Sequence, residues 1–360
     1  MTGKVIILLL LAAIVAVAAV AVVAMSSEDG PDPVVNPDDP VSDPLPKGIS
    51  FDEKTGVLKS KSEVTWYVTD ELKEFDKRVL EPVTGKSITL TPGLYTIKAG
   101  DETFQLVMDG THTNKVSWKY YFGGETYDVS VTYDIDISEL AEITVKNREY
   151  NSSLDPTQAH QFSELPQQVY VGDTARSIVK QLESRFVEIG GDLSDRQSYA
   201  DFLVSFAQLG IKYPQRVDKS TDKLVWGIKE YWANSLETMF FMKGDCEDSA
   251  AVACAIFMAA GYDTAMAGIP GHVAAGVVLS DFKEVSPQEI QKYNKIMYNA
   301  VKLGASASVV QTDPQDVIYY GVDTTWGQLP VGYMPGGSVD TMNKSTMWWG
   351  MAGFYPVPSN

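Results

Sequence analysis

The stretch GDCEDSAAVACAIFMAAGYD, residues 244–263, decides how the rest of this chain is read. Asp245 is a good N-cap, Asp248 follows three positions later as in a capping box, and Gly261 stands where a helix stops. The spacing predicts a helix from about Cys246 to Ala260. From Ala250 onward Ala, Val, Cys, Ile, Phe and Met cover every face instead of one stripe, which predicts burial on all sides. The first turn, by contrast, is acidic, so Cys246 sits where free backbone N–H groups and the helix dipole favour a thiolate. A lone cysteine is most often inert packing. Cys254 fits that role, and Cys246, among Gly244, Asp245, Glu247 and Asp248, does not. A bridge between the two is excluded: eight residues of helix (254 − 246) separate them by about 12 Å, beyond the roughly 7 Å limit for bridged Cα atoms. Asp245, Glu247 and Asp248 would raise the thiol pKa by like-charge repulsion, so a nearby imidazolium has to outweigh them.

A cysteine nucleophile needs a base within hydrogen-bond reach and a third group to orient that base. The chain has 3 histidines. His112 lies in a loop-like DGTHTN and His160 in a polar connector, whereas His272, in GIPGHVAAGVVL, opens a strand-like run just after the cysteine helix. Asp323, in YYGVDTTW, is a carboxylate breaking into another apolar strand, with Asp281 its rival by proximity in sequence. No Gly-rich phosphate loop, serine elbow or Cys/His zinc spacing is present, and no metal or cofactor is expected. A calcium site at Asp245, Glu247 and Asp248 is set against the simpler capping role of the same residues.

GDCEDSAAVACAIFMAAGYD, then GHVAAGV, then YYGVDTTWGQLPVGYMP, preceded by EYWANSLETMFFMKGD, resembles the transglutaminase-like superfamily, especially outward-facing prokaryotic members related to bacterial transglutaminase-like cysteine proteinases. The resemblance covers roughly residues 195–335 and implies a papain-like core. In that core the cysteine begins the central helix, with His and Asp on adjacent strands. The order Cys, His, Asp is met by Cys246, His272 and Asp323. Two departures stand out: Val273 and Ala274 follow the histidine where many relatives carry an aromatic, and the His272 to Asp323 gap of 51 residues (323 − 272) is long. The reaction implied is thiolate attack on an amide or peptide bond, giving a thioester. The Cys246 backbone N–H would supply one oxyanion donor, with Trp232 a weak candidate for the second. Hydrolysis, as in a cysteine peptidase or amidase, is expected over cross-linking of glutamine to amines, and a surface binding module on the same fold is the non-enzymatic alternative.

Outward from this core, residues 5–25 carry no charge for 21 positions, enough for a helix to cross a roughly 30 Å hydrocarbon layer. With Lys4 before it and Glu28, Asp29 and Asp32 after it, residues 1–4 form a cytoplasmic tip and the bulk of the chain lies outside the cell, tethered to the membrane. Residues 26–48, dense in Pro and Asp, read as an extended stalk. Residues 49–150 alternate strand-like runs, VTWYVT, SITL, GLYTIKAG, TFQLVM, KVSWKYYF, YDVSVTYDI and EITVKN, with turns at Pro92-Gly93, Asp109-Gly110 and Gly123-Gly124, which predicts hairpins in an all-β domain. Residues 151–360 hold helical segments from Asp173 and from Asp195, then the cysteine helix and strands TAMAGI, HVAAGVVL and VIYYGVDTT, with a surface insertion over 282–316. The fold class expected is α+β: an N-terminal transmembrane helix, an all-β domain, and a transglutaminase-like (papain-like) domain whose core helix packs on an antiparallel sheet. With 47 acidic against 29 basic residues the net charge is −18, which argues against nucleic acid and anionic lipid as partners and leaves a protein or peptide substrate at the cell surface.

Overall fold

A computed structural model describes residues 44–153, 162–218, 220–269, 272–294, 310–312, 317–333 and 353–358. Five antiparallel strands come first: β1 (Ile49–Asp52), β2 (Val57–Asp70), β3 (Val83–Thr89), β4 (Gly93–Ala99) and β5 (Glu102–Met108). The long β2 pairs with β1, β3 and β4, and β4 pairs with β5. Leu58, Trp66, Val68, Ile97, Phe104 and Leu106 of this sheet bury one another in a core of their own. β6 (Thr111–Phe122) and β7 (Glu125–Asp136) then form a separate hairpin through Gly123-Gly124. The other two turn signals act differently. Pro92-Gly93 and Asp109-Gly110 join strands that do not pair with each other.

EITVKN, expected as a strand, is helical: it lies in α1 (Ile137–Ser153), whose first turn is held by Asp136 Oδ1 accepting the Glu139 N–H at 2.9 Å. Its buried positions, Ile137, Leu140, Ala141, Thr144, Asn147 and Asn151, follow the helical period, but half of them are polar and hide it. α2 (Asp173–Glu188) covers the inward face of the hairpin, Val116, Trp118 and Tyr120 of β6 with Val129, Val131, Tyr133 and Ile135 of β7, in one cluster with the later helices. The hairpin therefore belongs to the helical core, and the all-β domain expected over 49–150 ends in effect at β5.

α3 (Arg196–Ser205), capped by Asp195 through the Ser198 N–H at 3.2 Å, widens into a π-turn at Phe206–Gly210. α4 (Ser235–Phe241) carries a full capping box between Asn234 and Glu237. α5 (Cys246–Ala259) is the cysteine helix. Gly261, at φ +75°, closes it: the Tyr262 and Gly261 N–H groups return to the Phe257 and Met258 carbonyls at 3.0 Å each. The second sheet runs β10 (Val310–Thr312), β11 (Ile318–Val322), β9 (His272–Val278), β8 (Thr264–Ile269) and β12 (Gly353–Pro356), all antiparallel. α5 packs on β8 and β9 and is enclosed on its other sides by α2, α3 and α4, so no side chain from Ala250 to Phe257 is more than 1% exposed. Of the insertion expected over 282–316, the described residues include the short α6 (Pro287–Ile290), and Ile290 packs with Leu329 and Tyr333.

The expected fold class needs correction at its N-terminal end. Residues 5–25 lie outside the described residues, and among the described residues no helix is long and apolar enough to cross a membrane. The longest, α1, has 17 residues and carries Glu, Lys and Arg, where a span needs about 20 mostly apolar ones. The described chain is mixed α/β, with a helix buried against an antiparallel sheet.

Phe257 is fully buried where α5 meets Tyr262 edge-on at 5.8 Å. Phe257→Ala is expected to destabilise the chain by about 3–5 kcal/mol through lost burial and the cavity left behind. Urea unfolding should show the midpoint falling with the slope unchanged.

Candidate active site

Three elements converge at the N-terminal end of α5. The turn into the helix is tight. A Cβ on Gly244 would lie 2.5 Å from Asp248 Cβ and 2.9 Å from Thr238 Cγ2, so no larger residue fits there without a shift. Asp248 spends its two oxygens on backbone, Oδ1 accepting the Ala233 N–H at 2.8 Å and Oδ2 the Asp245 N–H at 3.4 Å. Cys246 is the first helical residue and half-buried, with Sγ 3.0 Å from Glu247 Oε2.

β9 begins at His272, and Asp323 stands one residue beyond β11, its neighbour in the sheet. The last pair between these strands is Val322 with Ala275, which brings the two residues to the same end of the sheet. His272 Nε2 is 2.9 Å from Asp323 Oδ2, and Cys246 lies within hydrogen-bond reach of the ring. With Nε2 held by the carboxylate, Nδ1 is the nitrogen left for the sulfur. Asp323 is 1% exposed, and its Oδ1 accepts both the Thr325 N–H and the Thr325 hydroxyl at 2.8 Å each. The structure thus brings Cys246, His272 and Asp323 together, and Asp281 is exposed in the turn after β9.

Burial pulls the His272 imidazole toward its neutral form, but the Asp323 charge, the hydrogen bond to it and the Cys246 sulfur outweigh burial and raise its pKa to about 10. Burial likewise pushes Asp323 up, and the His272 cation with the Thr325 donors more than reverses this, holding it below the usual carboxylate range. The acidic residues beside the sulfur behave differently. Burial first, and then the neighbouring Cys246, Asp245 and Asp248, push Glu247 well above the usual range; burial with Asp245 and Asp222 does the same to Asp248. Both are thereby biased toward the neutral form. The repulsion expected from three carboxylates is weakened at two of them, and His272 supplies a cation beside the sulfur. Asp222, raised to about 9 by burial and Asp245, joins the cluster from the 220s. The carboxylate oxygens of Asp222, Asp245 and Asp248 lie within 4.8 Å of one another, and Oδ1 of Asp222 and of Asp245 is buried without a hydrogen-bond partner among the described residues. These are the oxygens that could hold a cation.

The other sequence candidates fall elsewhere. Trp232 is 3% exposed and its indole packs in the main core. Its carbonyl accepts from Asn147 Nδ2 at 2.9 Å and Asn151 Nδ2 at 3.2 Å, so it serves the frame behind the site. Tyr213, on which the sequence gives no signal, is a partly exposed tyrosine close enough to Cys246 for the sulfur's charge to act on its phenol. Its neighbour Lys212 donates to the Met242 carbonyl at 3.0 Å and accepts from Gly244 N–H at 3.3 Å, which lays Tyr213 beside the start of α5. Burial and then the Cys246 charge raise its phenol, so it keeps its proton. No spacing rule singles it out, since the pairing of residues 212 and 243 is a single isolated bridge. Cys254 is fully buried, its thiol pushed up to about 12 by burial. His112 pairs with Asn114 at 3.0 Å and packs on Phe240, and His160 lies outside the described residues.

Comparison with protein-family models, with curated proteins and with solved structures returns no match to this chain.

The His272–Asp323 pair sets a pH window for stability. A raised histidine pKa adds stability that is complete below the unfolded value of about 6.5 and is lost as pH rises toward 10; a lowered aspartate pKa adds stability present above about 4 and lost as pH falls further. The stability difference between wild type and His272→Gln, from urea titrations, should be largest between about pH 4 and 6.5, shrink steadily toward pH 10, and also shrink in acid. A difference flat across pH would contradict the pairing.

Proposed function

We propose that this chain is a transglutaminase-like thiol hydrolase, a cysteine peptidase or amidase acting on a protein or peptide. The observation that carries the reading is the Cys246, His272, Asp323 arrangement: a sulfur at the first turn of a buried helix, a histidine facing it, and a buried carboxylate 2.9 Å from that histidine's other nitrogen. The resemblance of GDCED, GHVAAGV and GVDTTW to the transglutaminase-like pattern, read from the sequence, supports the same reading.

In this mechanism the imidazolium of His272 stabilises the Cys246 thiolate, and Asp323 keeps the ring oriented and charged. The thiolate attacks the carbonyl carbon, and the oxyanion forms beside the Cys246 N–H, which has no partner within the helix. The Tyr213 hydroxyl is the second donor in this proposal, in place of Trp232. His272 gives its proton to the leaving amine, the C–N bond breaks, and a thioester remains. Neutral His272 then takes a proton from water, the resulting hydroxide attacks the thioester, and acid and free thiolate are released with the proton on the ring.

Amine transfer is the second reading. Carboxylates beside Cys246 could draw in a lysine ammonium, but burial pushes Glu247 and Asp248 toward their neutral forms, so that attraction is weakened. With water at about 55 M, an amine wins the thioester only where a site binds it and keeps water out.

Iodoacetamide at pH 6 should label Cys246 well ahead of Cys254, and His272→Ala should remove that advantage; equal rates at the two cysteines would defeat the proposal. On a peptide substrate Cys246→Ser is expected to lower kcat/KM at least about 10³-fold, and Tyr213→Phe to lower kcat about 10²-fold with KM little changed. A labelled primary amine at millimolar concentration should be incorporated less often than the thioester is hydrolysed, and the reverse ratio would favour the transferase.

A further inference from the structure

Asp323 sits just past the end of β11, where no strand ladder holds its backbone. Its side chain is short, so the carboxylate goes where the main chain puts it. What holds that main chain is Gln208, in the middle of the π-turn Phe206–Gly210 that continues α3. Gln208 Nε2 donates to the Asp323 carbonyl at 2.9 Å and to the Leu329 carbonyl at 2.9 Å, and its Oε1 accepts the Leu329 N–H at 3.3 Å. One side-chain amide, 6% exposed, therefore ties both ends of the loop 323–329. Single π-turns in α-helices are frequent at functional sites. Here the turn follows Ser205, whose hydroxyl takes the Phe202 carbonyl at 2.6 Å and accepts Trp118 Nε1–H at 3.0 Å, inserting a side chain into the helical ladder.

The rest of the loop is fixed from other sides. Asp201, one α3 face with Gln208, accepts the Val331 N–H at 2.6 Å; Thr324 meets Ser249 of α5 at 2.7 Å; Gln328 exchanges bonds with the Tyr121 main chain at 2.8 and 2.9 Å. Of these anchors, only the Gln208 amide reaches the Asp323 carbonyl. Resting on the triad proposed above, we infer that Gln208 is a positioning residue, which sets the Asp323 carboxylate against His272 by clamping the ends of its loop.

Among the described residues the charged groups acting on His272 are Asp323, one residue past β11, and Cys246 at the start of α5, so a loosened Asp323 should show in the histidine's own titration. Gln208→Met keeps the length of the side chain and removes all three hydrogen bonds. Gln208→Glu keeps the acceptor and, when protonated, one donor. The His272 titration midpoint, read by NMR, is expected near 10 in the wild type, lower by a unit or more in Gln208→Met, and between the two in Gln208→Glu. The alkaline end of the Cys246 alkylation pH profile, where His272 loses its charge, should move down by the same unit or more in Gln208→Met. If Gln208→Met does not fold, Gln208→Glu alone decides by the same midpoint. A midpoint and an alkylation pH profile equal to wild type, with only the melting temperature lowered, would make Gln208 a plain brace and overturn the inference. An ordinary wild-type midpoint near 6.5 would overturn it together with the triad, whereas a raised wild-type midpoint with no hydrolysis of any peptide would defeat the proposed function alone.

Discussion

A helix that is apolar on every face cannot lie on a surface, and this constraint organises the molecule. α5 must be wrapped, and the chain supplies β8 and β9 beneath it with α2, α3 and α4 around it. Wrapping one end while leaving the other wet creates the site. The first turn of α5 is the only part of the helix with a half-exposed side chain that is also chemically reactive, and it meets the sheet where β9 starts and β11 stops. The electrostatics around it follow from the same enclosure: burial pushes Glu247 and Asp248 toward their neutral forms, while the buried Asp323 favours the charged form of His272.

What could be read from the residues alone follows how local the signal was. The cysteine helix came through because capping residues, apolar filling and the closing Gly261 all sit within one stretch. His272 and Asp323 came through as charged residues interrupting apolar strands. Where the signal was tertiary it was lost. EITVKN reads as a strand because Thr144 and Asn147 occupy buried helical positions, and the reason is distant: Asn147 and Asn151 bond the Trp232 main chain. The hairpin β6–β7 shares the core of the helices while β1–β5 bury a core of their own, a difference its alternation does not reveal because it is the same whichever layer covers it. α4 did carry a local sign, Asn234 with Glu237 three residues on, which could have been found.

Tyr213 and Gln208 were illegible for a related reason. Each acts through one backbone-level contact made across the fold, the first through the Lys212 bridge to residue 243, the second through the carbonyls of Asp323 and Leu329. Polar residues with such duties look in a sequence like any other surface residue. Trp232, a conspicuous residue in the sequence, bonds Asn147 and Asn151 through its main chain and packs its side chain in the core.

β12 pairs with β8 on the far side of the sheet from β11, and its Phe354 fills the space above Gly276. In synthesis order, Cys246 leaves the ribosome 77 residues ahead of Asp323 (323 − 246) and 107 ahead of Gly353 (353 − 246). Until those later segments arrive the sulfur has no oriented base and β8 has an open edge, which is a hazard for pairing with other chains. The order of elements along the chain thus postpones the meeting of Cys246 with His272 and Asp323 until the strands that carry the last two have been made.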